Sequence, residues 1–392
     1  MVSLFIDARF APTRSLIVAI SCAMICGIVF GLSMPLISLR LEEMTGSGLI
    51  VGLNGAVAAL STLVMAPIVP RLMTWLPPRA IMLASFSGAA GLFVLLPVFP
   101  DVAVWFVLRF LIGCFVTVVF VLSETWINQI VSPERRAMML GVYGTALSGG
   151  FGLGGVAFSA LHAAGDMAFY LGAAIFLLGV LPVIFLNGPQ ATAPDSETST
   201  FKATLNALWI APAAILAALA FGALETLIFS MMPVYADRIG FDRQMIGYMV
   251  VAVAMGALAF QIPVGWIADK TNRRATLVWI AACAAVTPIL IGFAGQNLGL
   301  LLPLLFLQAG VASGLYTVGL SLLGERFSGG AIAAANAAFI FAYGFGSLFA
   351  PPLAGQAMDS AGPQGLLWTL SAIAALYTLI VISRSLLRRS KS

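Results

Sequence analysis

Apolar runs long enough to cross a bilayer recur twelve times along the chain, separated by short polar breaks. They fall at roughly 15–39, 48–72, 79–98, 102–130, 137–160, 167–187, 207–235, 245–268, 275–294, 298–323, 331–356 and 364–383. A membrane helix needs about 20 predominantly apolar residues, and each run is close to that length. Lipid offers the backbone no hydrogen-bond partners, so such runs must be helices. The pattern therefore predicts an all-α polytopic membrane protein whose twelve transmembrane helices form two pseudo-symmetric six-helix bundles. The alternating signature of a membrane barrel is absent. One long polar stretch, GPQATAPDSETSTFKATLN at 188–206, falls near the midpoint. Its Pro, Ser and Thr content reads as a linker, dividing the chain into 1–187, a cytoplasmic linker at 188–206, and 207–392.

Composition sharpens this. Hydrophobic residues make up 61% of the 392 positions and charged residues 9%, against about a quarter charged in soluble domains. The net charge of +4 comes from basic residues scattered among loops, with no patch to hold nucleic acid. Cys22, Cys26, Cys114 and Cys283 all lie in apolar runs and are expected to be buried free thiols, outside any disulfide or metal spacing. The first run is too long for the core of a cleaved signal peptide, so it is expected to be retained as a span.

Lys and Arg set the orientation. With both termini cytoplasmic, only Arg40, Arg238 and Arg243 fall outside and Arg109 lies within a span. All other basic residues, from Arg9 to Lys391, fall on the cytoplasmic side. An odd number of spans would scramble this bias. The halves also echo each other. SMPLISLR (33–40) closes the first run and MMPVYADR (231–238) the seventh, with Pro35 and Pro233 each five residues before an arginine. GFGLGG (150–155) in the fifth run is matched by APPLAG (350–355) in the eleventh. Gly150, Gly154 and Gly155, with Pro351 and Gly355, have the small-residue spacing that lets helix backbones approach closely. Parallel repeats of this kind surround a central path in many transporters.

The most specific segment is GWIADKTNRR (265–274), between the eighth and ninth runs. It resembles the signature loop of the major facilitator superfamily, in which Gly, Asp and clustered basic residues recur at this spacing and position. The resemblance implies that Asp269 caps or pairs at a helix end. It also implies that Gly265, Asp269, Lys270, Arg273 and Arg274 form a cytoplasmic gating loop. The corresponding first-half loop, PIVPRLMTWLPPR (67–79), keeps Arg71 and Arg79 but places Met73 where Asp269 would be. RFLIG (109–113) resembles the family's Arg-x-x-x-Gly motif, whose arginine is associated with proton coupling or substrate binding. GFGLGG and APPLAG resemble its Gly-Pro-x-x-Gly-Gly antiporter pattern, with Phe151 standing in the proline position of the first copy. With ETWIN (124–128) and LLGERF (322–327) the chain resembles a bacterial branch of that family, and the resemblance favours drug-like efflux over metabolite uptake.

Arg109, Glu124 and Glu225 are the ionisable residues inside spans. Each costs about 2.5–3.5 kcal/mol at the bilayer centre, so each is expected to face protein or water. Glu124 is either a partner of loop arginines such as Arg135 and Arg136 or a direct participant in transport. Glu225 is either a proton carrier or solute contact, or a fixed partner of Arg109. Desolvation favours the neutral form of a carboxyl, a property a proton carrier needs. Asn54, Gln261, Gln308, Tyr316, Asn336 and Tyr343 either line the path or bond between helices. His162, at the outer end of the fifth run, reads as a surface residue.

These observations predict a secondary active transporter of a small, largely apolar or weakly charged solute. It would work by alternating access with a proton as coupling ion, as a monomer in the inner membrane. No P-loop is present, so ATP is not the driver. No cofactor, metal cluster or catalytic triad is expected, and an enzyme is disfavoured. A sensor or scaffold that moves no solute is the reading of a different class.

Overall fold

The computed structural model describes residues 11–131, 133–185, 211–324 and 330–389, and the linker expected at 188–206 lies outside them. The described residues contain helix and no strand. Among the described residues, twelve helices are long and apolar enough to span a membrane. We number them span 1 (Arg14–Thr45), span 2 (Gly48–Met65), span 3 (Pro78–Val98), span 4 (Val102–Ile130), span 5 (Met138–Ala164) and span 6 (Met167–Phe185). The others are span 7 (Pro212–Ser230), span 8 (Arg243–Lys270), span 9 (Arg273–Ala294), span 10 (Leu298–Leu323), span 11 (Ala335–Ala361) and span 12 (Gln364–Arg384).

Two runs are shorter as helices than the apolar pattern implied. The run at 48–72 ends as a span at Met65, and a separate short helix follows at Val69–Trp75. Pro67 and Pro70 explain the break, because each removes a donor from the helical ladder. The run at 207–235 is helical from Pro212 to Ser230, and Met232–Arg238 forms a second short helix. Pro233 sits in the first turn of that second helix, where its missing N–H has no intrahelical partner to lose. Its repeat counterpart Pro35 lies inside an unbroken helix. Sequence equivalence therefore does not carry over to local geometry at this point. Span 1 also continues past its apolar run through Arg40, Glu42 and Glu43 to Thr45.

The chain forms two compact units: Met1–Leu36 with Leu60–Asp195, and Ile37–Ala59 with Ser196–Ser392. In the first unit, spans 1 and 5 meet through glycine. A Cβ on Gly27 would stand 2.2 Å from the Leu147 carbonyl oxygen, and one on Gly31 2.2 Å from that of Phe151. Reciprocally, Gly150 would meet the Met24 carbonyl at 2.3 Å and Gly154 that of Ile28 at 2.2 Å. The expected packing role of Gly150 and Gly154 thus has a definite surface, and Gly155 is buried beside them. Spans 3, 4 and 6 enclose an aromatic core of Phe93, Trp105, Phe169 and Phe176. Trp105 Nε1 donates to the Leu96 and Phe99 carbonyls at 2.9 and 3.0 Å, so its buried indole is satisfied.

In the second unit, span 7 packs against spans 10, 11 and 12, span 8 against span 10, and span 9 against spans 10 and 12. Gly355 of the APPLAG motif lies on Gly48, whose carbonyl would be 2.0 Å from an added Cβ; a Cβ on Gly52 would stand 2.2 Å from the Pro351 carbonyl oxygen. Around this crossing lies a network of charges. The Asp359 carboxylate accepts from Ser47 Oγ (2.9 Å), Gly48 N (2.7 Å) and Leu49 N (2.9 Å), so a side chain of span 11 caps the start of span 2. Arg238 bridges Glu42 (2.6 Å) and Asp359 (2.8 Å), and Arg243 pairs with Glu43. Burial works against the Arg238 charge, but its hydrogen bonds to Glu42 and Asp359 outweigh burial and raise its pKa. Removing this cap should cost about 1–2 kcal/mol by analogy with other N-caps. Asp359→Ala is therefore expected to lower the midpoint of thermal unfolding, with Asp359→Asn intermediate; an unchanged midpoint would show that the cap contributes nothing.

The cysteine expectation holds for Cys22 and Cys26, which are buried, but not for the others. Cys114 is half-buried and Cys283 is exposed on span 9. An apolar run in a membrane protein has a lipid-facing side as well as a packed one, and the thioether-like thiol is at home on either.

Candidate functional site

Span 7 is the most thoroughly buried of the twelve, and Glu225 lies well within it. It is rich in Ala and Gly, which let neighbours close in. A Cβ on Gly222 would stand 2.2 Å from the Tyr343 carbonyl, and one on Gly346 2.0 Å from that of Leu219. This contact delivers the span 11 side chains to Glu225. Tyr343 Oη donates to Glu225 Oε2 at 2.6 Å, and Ser347 Oγ donates to the Gly222 carbonyl at 3.0 Å. Phe221, one turn before Glu225, packs its ring against Tyr343 (5.6 Å between centroids) and Tyr316 of span 10 (5.3 Å). Tyr316 in turn meets Phe339 at 5.3 Å, edge to face. The sequence thus supplies one carboxylate, and packing surrounds it with aromatic rings from three helices.

Within its own unit, no described cation forms an ion pair with Glu225, and its second carboxylate oxygen accepts no hydrogen bond from any described residue of that unit. Spans 10, 11 and 12 carry Asp359 and Arg384 near their ends and otherwise no charged residue among those described. Near the middle of span 10, Gln308 is fully buried with neither amide atom hydrogen-bonded among the described residues. The same is true of Nδ2 of the buried Asn54. Buried amides without partners are costly, which makes Gln308 and Asn54 the strongest of the six polar candidates besides Tyr316 and Tyr343. Gln261 is half-buried and Asn336 exposed.

Arg109 and Glu124 belong to the first unit. Arg109 is buried in span 4, and its Nε makes no hydrogen bond among the described residues. Glu124 lies on an exposed flank of the same helix. Beside it, the buried Tyr143 of span 5 bonds Ser123 at 3.0 Å and lies within electrostatic reach of Glu124, Cys22 and Cys26. The side chains of Arg135 and Arg136 lie outside those described. Tyr143 was not singled out from sequence, yet the spacing that relates GFGLGG to APPLAG also relates Tyr143 to Tyr343. That repeat was the available signal. His162 begins the 3-10 helix His162–Ala164, its Nδ1 2.8 Å from the Ser159 carbonyl oxygen.

In the loop after span 8, Asp269 pairs with Arg273 at 2.7 Å, and Arg273 also reaches the Ser321 carbonyl at the end of span 10. Lys270 stands 4.0 Å over the Trp266 ring. Asn272 caps span 9 by accepting from Arg274 N and Ala275 N. Gly265 has room for a Cβ, with Thr317 Cγ2 the nearest atom at 3.7 Å, so packing does not demand a glycine there. In the first-half loop, Met73 is buried and Arg79 donates to the Ile184 carbonyl at 2.6 Å. The residue that replaces the aspartate has joined the apolar core. Among the described residues no group of three or more His, Cys, Asp or Glu could hold a metal.

Comparison with known proteins agrees with this architecture. The family model described as Major Facilitator Superfamily matches residues 19–255 and 214–392. The MFS-type transporter YfkF of Bacillus subtilis is 26% identical over 362 residues, covering 89% of this chain and 91% of the relative. The MFS-type transporter YcaD of Escherichia coli is 22% identical over 307 residues, covering 78% of each. Among solved structures, the nucleoside transporter NupG superposes with a TM-score of 0.75 at 13% identity, covering 94% of this chain and 98% of that one. A bacterial homologue of the human lysosomal transporter Spinster gives a TM-score of 0.75 at 12% identity, covering 96% of each. At these identities the structures establish the fold alone. With twelve spans, paired halves, the loop at 265–274 and the family match across nearly the whole length, the chain is a membrane transporter of the Major Facilitator Superfamily.

Proposed function

We propose that this protein is a proton-coupled secondary transporter that moves a small, largely apolar or weakly charged solute by alternating access, with export favoured. The two six-helix halves, 1–187 and 207–392, would rock about the 188–206 linker, with both termini cytoplasmic in an inner membrane. The observation that carries this reading is Glu225. It is a carboxylate in the most buried span, held by one hydroxyl and by no described cation of its own unit. A buried charge is tolerated when it is paired or when its proton can come and go. The lack of a described cation partner for Glu225 within its own unit supports the second arrangement. Arg109, also buried with an unpaired Nε, is the partner we assign to solute or to the coupling cycle in the other half; Glu124 serves the cytoplasmic end of the same path.

The test is accumulation of a solute by the full chain in sealed vesicles under an imposed pH gradient. Uphill movement that a protonophore collapses is expected. Flux that ignores the protonophore would contradict proton coupling, and no flux of any solute in a broad panel would favour the scaffold reading.

The loop at 265–274 would act as a cytoplasmic latch. An exposed ion pair contributes about 0.2–1 kcal/mol to stability. Asp269→Asn should therefore leave the unfolding midpoint almost unchanged while slowing transport several-fold. A matching loss of stability would make the pair structural, and unaltered transport would remove it from the cycle.

A further inference from the structure

Span 1 is held by different partners at its two ends. Its N-terminal stretch is locked to span 5 by the seam of Gly27 and Gly31 and counts with the first unit. Its C-terminal stretch pairs Glu42 with Arg238 at 2.6 Å and Glu43 with Arg243, and counts with the second. The boundary falls between Leu36 and Ile37, inside a helix that runs unbroken from Ala11 to Thr45. Pro35 adjoins that boundary. It has no N–H to give to the Gly31 carbonyl four residues back, so the helical ladder is weakest there. Span 2 crosses the same boundary between Ala59 and Leu60 but holds no proline.

The repeat displays what this sequence pattern does when the ladder opens. Pro35 and Pro233 each stand five residues before an arginine. After span 7 the helix stops at Ser230, Met231 takes φ −104° and ψ −24°, and a new helix begins at Met232. Backbone bonding resumes at Tyr235, whose N–H donates to the Met231 carbonyl at 3.0 Å. Counting back from the paired prolines, Ser33 stands where Met231 does. One pattern thus occurs in two geometries within a single chain, continuous in span 1 and interrupted after span 7.

We infer that Ser33–Pro35 is a hinge, at which span 1 passes between its continuous form and the interrupted form of its repeat counterpart. This rests on alternating access as the working cycle. It adds where the motion is absorbed. The glycine seam and the ion pairs keep hold of the two ends, and the few residues between Gly31 and Ile37 take up the change in backbone angles. A stiff helix held in this way would have to release one anchorage.

Pairs of spin labels on the full chain in lipid nanodiscs test the hinge, with the four native cysteines replaced. One pair, at Met24 and Met44, straddles Ser33–Pro35. The other, at Trp75 and Thr271, marks the loops after spans 2 and 8. Both distances are measured at acid and at alkaline pH. An unbroken helix holds positions 24 and 44 about 30 Å apart. With Pro35 in place, a second and shorter Met24–Met44 population is expected, its share changing with pH in step with the Trp75–Thr271 distance. Pro35→Ala should leave only the longer population. Pro288→Ala, which repairs the ladder of span 9 wholly within the second unit, should leave both. A single Met24–Met44 distance at every pH, two populations that persist in Pro35→Ala, or loss of the shorter one in Pro288→Ala would overturn the hinge. If the Trp75–Thr271 distance still shifted with pH, alternating access would stand and the hinge alone would fall. If neither pair moved, both would fall.

Discussion

Gly154→Val is expected to yield no folded transporter, while Gly149→Val, five positions earlier on the same helix, yields one. The first Cβ atom of the new side chain would lie 2.2 Å from the Ile28 carbonyl oxygen and 2.7 Å from the Gly31 Cα. Both opposing atoms are backbone, so relief requires spans 1 and 5 to separate along the line formed by Gly27, Gly31, Gly150 and Gly154. Overpacking a well-filled core costs about 1–3 kcal/mol and occasionally more. A clash against backbone belongs at or above the upper end of that range, against a total stability of about 5–15 kcal/mol. In lipid there is no hydrophobic force to hold the separated helices together, because acyl chains solvate them as well as each other. A Cβ on Gly149 would meet nothing within 4 Å, and valine is the better helix former of the two, so no loss is expected there. Monodispersity on size exclusion and the unfolding midpoint read the contrast. Equal behaviour of the two variants would show that the glycine seam does not hold the first unit together.

Glu225→Gln is the second large effect. The substitution keeps shape, and its amide oxygen can still accept from Tyr343, so the packing of span 7 on span 11 should survive. What it removes is the ability to release and take up a proton. Uphill accumulation under a pH gradient is expected to fall to the leak of protein-free vesicles, with expression and the unfolding midpoint intact. Tyr343→Phe should weaken flux less, since it deletes one hydrogen bond and leaves the Glu225 carboxylate in place. Wild-type accumulation by Glu225→Gln would take this residue out of the mechanism.

The twelve spans were readable in the apolar runs because bilayer thickness and backbone hydrogen bonding leave the chain little choice. The motif glycines were readable for a related reason: Gly150 and Gly154 recur at the spacing of a helix seam. Helix ends were less so, since Pro233 starts a new helix while its counterpart Pro35 is absorbed within one. Glu225 stood out as a charge in the wrong solvent, but its surroundings did not. Tyr316, Tyr343 and Phe339 are separated from it by about a hundred residues, and only the packing of spans 7, 10 and 11 brings them together. Asp359 was invisible for the same reason, being more than three hundred positions from the helix it caps. The exposure of Cys283 shows the opposite limit: an apolar run does not reveal which of its faces meets lipid.

If Glu225 carries the coupling proton, as proposed, counting protons will show it. A pH-sensitive dye trapped in vesicles holding the full chain reports proton movement as transported solute is added. The wild type is expected to move protons in fixed proportion to solute, and Glu225→Gln to move none. Solute-linked proton movement of undiminished size in Glu225→Gln would contradict the account.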